Sequence, residues 1–407
     1  MTTNEPGCVV VGAGLAAANV VQKLREQNYD GSITLIGDEH ELPYERPPLS
    51  KDYLQGNAAI DDAYPHDQAW YADQQIELRL SETATGIDRQ AKRVTLAAGG
   101  TVDYRHLVIA TGSSARTLDI PGMDLAGVHT LRRIGDSNAL KAAFTDGAAV
   151  AVIGAGWIGL EVAAAARKAG CVVTVLEYAD QPLGSILGDE LARHFAELHR
   201  SNGVDLRTGV AVTEIVGTGG SVTGVRTKDE EIAADVVVVG VGAAPNVDLA
   251  QGAGLELADQ AGGILVDEHL RTSDPAILAI GDVAAAMNTT LGRRLRVEHW
   301  DNAIRQGKLA AATILGTGEA YDWQPYFFTD QFDLGMEYVG NSSADDDVLI
   351  RGDRSSGEFI AFWRNGGKLT AAMNVNIWDV NDELRALIGR EIPAERLADA
   401  SVALTDL

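Results

Sequence analysis

One pattern occurs twice in this chain and leaves few folds open to it. Residues 8–38 run Cys-Val-Val-Val-Gly-Ala-Gly-Leu-Ala-Ala, then a helical stretch, then Ser-Ile-Thr-Leu-Ile-Gly-Asp. Residues 149–177 run Ala-Val-Ala-Val-Ile-Gly-Ala-Gly-Trp-Ile-Gly, then another helical stretch, then Cys-Val-Val-Thr-Val-Leu-Glu. Each copy reads strand, glycine-rich turn, helix, strand, with a carboxylate at its end. Unbroken apolar strands of this kind belong to parallel sheets covered on both faces, so each copy is a βαβ unit.

Further apolar runs at 107–110 and 235–240 read as later strands of the two sheets, and 277–282 returns the chain to the first sheet. From about Tyr321 the texture changes to shorter alternating segments with turn signals such as Asn365-Gly-Gly, which predicts an antiparallel sheet capped by helices. The expected fold class is α/β: two Rossmann-like dinucleotide-binding domains plus a C-terminal α+β domain with an antiparallel sheet. Domain bounds are expected at 1–115 with 242–320, at 116–241, and at 321–407.

The glycine turns carry a chemical meaning. Gly12, Gly14 and Ala17 form a GxGxxA fingerprint: the first glycine makes the tight turn, the second lets backbone approach a pyrophosphate, and the small third residue lets helix and strand pack closely. Asp38 stands where a ribose-hydroxyl acceptor is expected. A glycine-rich turn can also be merely structural. Gly154, Gly156 and Gly159 repeat the fingerprint, and Glu177 is its acidic terminus. A carboxylate there accepts hydrogen bonds from a free ribose diol and repels a 2′-phosphate. Between Tyr178 and His199 the only Lys or Arg is Arg193, which favours NADH over NADPH. Two fingerprints imply two dinucleotides, a flavin and a nicotinamide.

Composition narrows the rest. The 407 residues hold only two cysteines, Cys8 and Cys171, each in or beside an apolar strand, where a buried structural thiol is the plainer reading than redox chemistry. Two cysteines are too few for an ordinary iron–sulfur cluster, and no CxxC is present for disulfide exchange. No metal site is expected. A net charge of −25 argues against nucleic-acid binding, which needs clustered Lys and Arg. No stretch approaches the ~20 apolar residues of a membrane helix. The start from Met1 to Gly7 is short and polar, so no signal peptide is expected and the cytoplasm is the expected location.

With these residues in hand, the chain resembles the flavoprotein ferredoxin reductases of bacterial oxygenase and cytochrome P450 systems, the putidaredoxin reductase and biphenyl dioxygenase reductase type, and more distantly apoptosis-inducing factor. The likeness covers essentially the whole chain. It includes Leu42-Pro-Tyr-Glu-Arg-Pro-Pro-Leu-Ser-Lys51, Ala110-Thr-Gly112, Gly240-Val-Gly-Ala-Ala-Pro-Asn246 and Thr272-Ser-Asp-Pro-Ala-Ile-Leu-Ala-Ile-Gly-Asp282. It implies a glutathione-reductase-like arrangement with FAD in the first domain and NADH in the second.

The resemblance also implies site residues. Leu15, Ala16 and Asp38 hold the adenosine and pyrophosphate half of FAD, with Ala84 beside the adenine. Arg46, Lys51 and Arg132 reach the flavin half, Asp282 binds the ribityl chain, and Trp300 lies against the isoalloxazine. Thr111 and Gly112 join the cofactor contacts, as do Ile158, Glu161, Glu177 and Gly242. Lys51 pairs with Glu161 near the nitrogen that accepts the hydride. A lysine there stabilises the anion of the reduced ring, and in a low-dielectric site it requires a carboxylate partner. Plainer readings stand beside these: Lys51 and Glu161 as surface charges, Asp282 as a helix N-cap before Val-Ala-Ala-Ala, and Trp300 as core packing.

The implied reaction passes electrons from NADH through FAD to a small ferredoxin of the 2Fe–2S type. The family often carries Trp in a Pro-x-Phe-Trp-Ser-Asp-Gln segment; here Pro325-Tyr-Phe-Phe-Thr-Asp-Gln331 places Phe328 there, which keeps an aromatic face and loses the indole N–H. Docking a ferredoxin requires a positive patch despite the net charge. Arg293, Arg294 and Arg296 are the only dense basic cluster, with Arg305 and Lys308 on a helix beyond, although such a run is commonly a solvated loop. Alternatives are an NADH oxidase or quinone reductase, or a flavin-binding redox-signalling protein.

Overall fold

Runs dominated by valine, isoleucine, leucine and alanine build the central strands of two buried parallel sheets. The computed structural model describes residues 6–259 and 262–407. The chain divides into two units. The first gathers residues up to Glu45, Ile60–Ser114 and Ala244–Pro325; the second gathers Arg46–Ala59, Ala115–Ala243 and Tyr326–Leu407.

In the first unit the sheet order is Ile277–Ala279, His106–Ile109, Cys8–Val11, Ile33–Ile36, Ile76–Arg79, all parallel. All four residues of Cys8–Val11 are buried, which explains why that strand shows no polar alternation. Helix Leu15–Glu26 packs on this sheet and against helix Trp300–Ile314. The two helices touch at Gly307, where a Cβ would stand 2.6 Å from the Ala16 carbonyl oxygen and 2.7 Å from the Asn19 Cβ. Strand Ala84–Asp88 belongs to a separate three-stranded antiparallel sheet at 84–103.

The second unit repeats the plan. Its parallel sheet runs Asp205–Arg207, Val172–Leu176, Ala149–Ile153, Val236–Val239, Val128–His129. Helix Trp157–Lys168 follows the glycine turn. Residues 326–375 form a five-stranded antiparallel sheet, in order Tyr326–Gln331, Leu334–Gly340, Lys368–Val375, Glu358–Asn365, Asp347–Asp353. Helices Asn381–Leu387 and Ala394–Ala398 bury Leu384, Leu387 and Leu397 against it. The segment 46–59 also belongs here: Leu54 enters this unit's core, and the Ser137 hydroxyl donates to the Leu49 carbonyl at 2.8 Å.

Both cysteines are buried free thiols. Burial pushes the Cys8 thiol up to about 12, so it stays protonated and inert. Among the described residues no helix is long and apolar enough to cross a membrane. One local expectation fails. Asp282 caps no helix: residues Gly281–Val283 form a single 3-10 turn, and Ala284–Asn288 continues as a buried strand. Alanines that favour a helix locally are drawn here into a sheet with Ile264–Val266, because tertiary pairing overrides propensity.

Candidate active site

The first glycine turn lies in the first unit. Gly12 has φ +104°, and a Cβ on it would collide with the Ala110 carbonyl oxygen, so the turn admits only glycine. Gly14 differs. A Cβ there would meet no atom within 4 Å, so the protein leaves open space in front of the helix it caps. That helix has no acidic residue in its first turn and no side-chain cap, so its first N–H groups are left for an outside acceptor. Such a cradle fits a pyrophosphate. Leu15, Ala16 and Ala17 are buried behind it, and Asp38 is exposed beyond the end of strand Ile33–Ile36.

The second turn, in the second unit, repeats this geometry. Gly154 has φ +100° and closes on the Gly240 carbonyl, while a Cβ at Gly156 would again meet nothing within 4 Å. Gly159 has a packing role, since a Cβ there would strike the Gly154 carbonyl oxygen. Glu177 accepts hydrogen bonds from Ala155 N–H at 2.6 Å and Ala179 N–H at 2.8 Å. Each oxygen keeps a further lone pair for a ribose hydroxyl. Ile158 is 45% exposed on the first turn of the helix, and Tyr178 is exposed beside Glu177. Gly242 has φ +101°, and the neighbouring Arg116 N–H donates to its carbonyl at 2.9 Å.

A charge cluster is buried elsewhere in the second unit. Lys51 Nζ lies 2.6 Å from Glu161 Oε1, with Lys51 9% and Glu161 2% exposed. Glu161 stands on helix Trp157–Lys168, five residues past Gly156, so the fingerprint that starts the helix also sets this carboxylate. Thr329 donates to Glu161 Oε1 and Ser50 to Glu161 Oε2, each at 2.5 Å. Thr329 also accepts from Gln331 Nε2 at 3.2 Å, and Gln331 Oε1 lies 2.8 Å from His199 Nε2. Burial pushes the His199 imidazole down to about 4, with the Gln331 hydrogen bond opposing, so the ring is neutral near pH 7. Sequence assigned no role to Ser50, Thr329, Gln331 or His199, although the first three lie in segments that carry the resemblance, because no motif spacing joins them to Glu161. Lys51 Nζ also lies 5.2 Å from the Phe328 ring centroid, within reach of a cation–π contact.

The remaining expected residues are distributed as follows. In the second unit Arg46 donates to the Arg132 carbonyl, and Arg132 N–H donates to Asp136 at 2.8 Å. In the first unit Trp300 opens helix Trp300–Ile314 and packs against the core, as plain packing also predicts. Burial pushes the Glu45 carboxyl up, and a hydrogen bond with Trp300 works against it. Ala84 is half-buried against the same core. Gly281 N–H donates to the buried Gln306 at 2.8 Å and sets the turn that carries Asp282. Thr111 and Gly112 are clamped by Asn246, which ends a motif of the resemblance but had been given no role from sequence. Asn246 Nδ2 donates to the Thr111 carbonyl at 2.8 Å, and its N–H donates to the Gly112 carbonyl at 2.9 Å.

The arginine cluster, also in the first unit, is largely committed to internal bonds. Arg294 donates to the carbonyls of Ala285, at 2.7 Å, and Val266. Arg296 forms an ion pair with Glu298, and Arg305 lies over the Trp323 ring and pairs with Asp301. Arg293 and Lys308 are exposed. Among the described residues no group of three or more His, Cys, Asp or Glu side chains is placed to hold a metal ion.

Comparison with known proteins adds to this geometry. Residues 6–307 match the family described as pyridine nucleotide-disulphide oxidoreductase, and residues 326–407 match the reductase C-terminal family. The chain is 41% identical over 401 residues to the ferredoxin–NAD(+) reductase component of the anthranilate 1,2-dioxygenase system of Burkholderia cepacia, covering 97% of this chain and 98% of that one. It is 35% identical over 407 residues to putidaredoxin reductase of Pseudomonas putida, covering 98% and 96%. Its fold matches the reductase of the covalent putidaredoxin reductase–putidaredoxin complex with a TM-score of 0.95, at 34% identity over 99% of this chain and 98% of that one.

Two outcomes follow from the buried cluster. Lys51→Met leaves the Glu161 carboxylate buried without its cation and should cost ~3 kcal/mol of stability in urea unfolding. Lys51→Met combined with Glu161→Gln should recover part of that loss. The second outcome concerns pH. Unfolded His199 takes up a proton near 6.5 and the folded ring only near 4, so stability is full above pH 6.5 and falls as pH drops toward 4. The loss from this group is roughly 3 kcal/mol. Unfolding curves between pH 7.5 and 4.5 should show that slope in the native chain and a flatter one in His199→Phe.

Proposed function

The chain belongs to the pyridine nucleotide-disulphide oxidoreductase family, and on that premise we propose that it passes electrons from NADH through FAD to a small ferredoxin. One observation carries this reading. The chain has two dinucleotide turns, yet both its cysteines are buried free thiols, so reducing equivalents have no disulfide to enter within the described residues. They must leave to an external carrier. The relatives named above as ferredoxin–NAD(+) reductases supply the class of that carrier, and we take its cluster to be 2Fe–2S.

FAD and NAD(H) are the cofactors. Bound FAD accepts a hydride from NADH and can give up its two electrons one at a time. The chain's own residues bind and orient. Gly12, Gly14, Leu15, Ala16 and Ala17 offer N–H groups and close approach to the FAD pyrophosphate; Asp38 is assigned to the ribose and Ala84 to the adenine. Thr111, Gly112, Asp282 and Trp300 are assigned to the rest of that cofactor, together with Arg46 and Arg132. Gly154, Gly156, Ile158, Gly159, Glu177 and Gly242 are assigned to NADH. Lys51 is assigned to the flavin half as well, where its ammonium would favour the reduced cofactor, and Glu161 keeps that charge tolerable in a dry site. Residues 1–115 with 242–320 would be the FAD domain, 116–241 the NAD domain and 321–407 the interface domain. The two free thiols suit the cytoplasm, a reducing compartment.

For docking we retain Arg293, Arg294 and Arg296 with different weights. Arg293 is the exposed charge, while Arg294 and Arg296 act by fixing the strand that presents it.

The test is cytochrome c reduction by the flavin-loaded protein with NADH, with and without a 2Fe–2S ferredoxin. A ferredoxin-dependent rate that drops about tenfold or more when NADPH replaces NADH is expected. Flavin bleaching by NADH without ferredoxin-dependent turnover would overturn the acceptor and point to a quinone or oxygen. Arg293→Glu should slow ferredoxin reduction about fivefold at low salt and leave dye reduction intact. Equal loss of both would remove the docking assignment.

A further inference from the structure

The strand Tyr326–Gln331 alternates its side chains, so Phe327, Thr329 and Gln331 share one face. They meet Trp157, Glu161 and His199 in turn: Phe327 and Trp157 ring centroids are 5.0 Å apart, Thr329 donates to Glu161, and Gln331 bonds His199. Thr329, Gln331 and His199 are each no more than 1% exposed. A shielded polar row of this length is costly unless every group in it is used, and apolar residues of the same size would pack equally well.

The row has a direction. A neutral imidazole has one N–H, and His199 Nδ1 has no hydrogen-bond partner among the described residues, so the N–H stands on Nε2 and donates to Gln331 Oε1. The Gln331 amide must then turn its NH2 toward Thr329. Thr329 Oγ1 accepts from it and has its own proton left for Glu161 Oε1. Every donor points at the carboxylate. Reversing the Gln331 amide would set its oxygen against Thr329, draw the hydroxyl proton away and leave Glu161 Oε1 with Lys51 alone.

We propose that Thr329, Gln331 and His199 are positioning residues that lock the Glu161 carboxylate in one orientation and so fix where the Lys51 ammonium stands relative to the flavin. The proposal rests on the placement of Lys51 beside the flavin. A purely structural role would make the row matter for stability alone. A positioning role makes it matter for the redox equilibrium of bound FAD, because a displaced ammonium offsets the reduced anion less.

The experiment is an anaerobic redox titration of bound FAD by mediators in Thr329→Val, Thr329→Ser and Gln331→Leu, beside nitrogen NMR of the His199 ring in the native holoenzyme. Thr329→Val keeps shape and loses the proton donated to Glu161; the reduction equilibrium should weaken about tenfold, ~30 mV more negative for a two-electron couple. Gln331→Leu should move the same way, Thr329→Ser should stay near the native potential, and the ring should be the neutral Nε2–H tautomer. Native potentials in folded, flavin-loaded Thr329→Val and Gln331→Leu would overturn the proposal, as would an Nδ1–H tautomer. Mediators set the potential without NADH or ferredoxin. A native protein that ferredoxin cannot oxidise would therefore sink the functional reading and leave this one standing or falling on its own potentials.

Discussion

Glu161 is a carboxylate with almost no access to water, and the second unit is arranged around that fact. An ionised carboxylate in such a place must be paired and hydrogen-bonded, or the fold loses several kcal/mol. The cluster is built from three distant stretches: Ser50 and Lys51 from the 46–59 segment, the fingerprint helix that carries Glu161, and Thr329 from the C-terminal sheet. None of the three can shift without exposing the charge. This explains why 46–59, which lies between two stretches of the first unit in sequence, belongs with the second. Leu54 in the core and the Ser137 bond to Leu49 reinforce a placement that the charge demands.

The two glycine turns show how one motif divides its labour. In each, the first glycine is required by the protein itself, since Gly12 and Gly154 press against a neighbouring carbonyl at positive φ. The second is required by nothing in the protein. Open space at Gly14 and Gly156, each the N-cap of a helix, is the room a pyrophosphate would need. Glu177 orders the second turn by accepting from both Ala155 and Ala179, and each of its oxygens keeps a lone pair free of that task.

Much of this architecture is legible in the amino-acid sequence, and for a physical reason. Parallel strands buried on both faces and glycine turns are local, dense signals, so both sheets and the antiparallel tail can be read from residue order alone. Lys51 and Glu161 could be nominated only through resemblance to a family. Ser50, Thr329 and Gln331 lie in segments that carry the resemblance but gave no hint of a role, and His199 lies in none, because their common position is created by packing across more than a hundred residues of chain. Asp282 was open to misreading because the alanines after it favour a helix locally and are overruled by strand pairing. The arginine run misleads in the opposite way: sequence counts three charges, while Arg294 and Arg296 are turned inward.

The Asn246 clamp has a consequence for how such a chain can come to exist. Asn246 ties the point where the chain re-enters the first unit to Thr111 and Gly112, just before it departs, and Arg116 ties the far side to Gly242 and Ala243. Departure and return are thus stitched together on both sides of the crossing. The closure entropy of a loop grows only slowly with its length, and here the ends are already held, so the intervening segment can be long at little cost. Two copies of one βαβ motif can therefore be nested, one spliced into the other, instead of strung in tandem. In that arrangement the nested copy enters and leaves the host at one stitched point, not at two separate places.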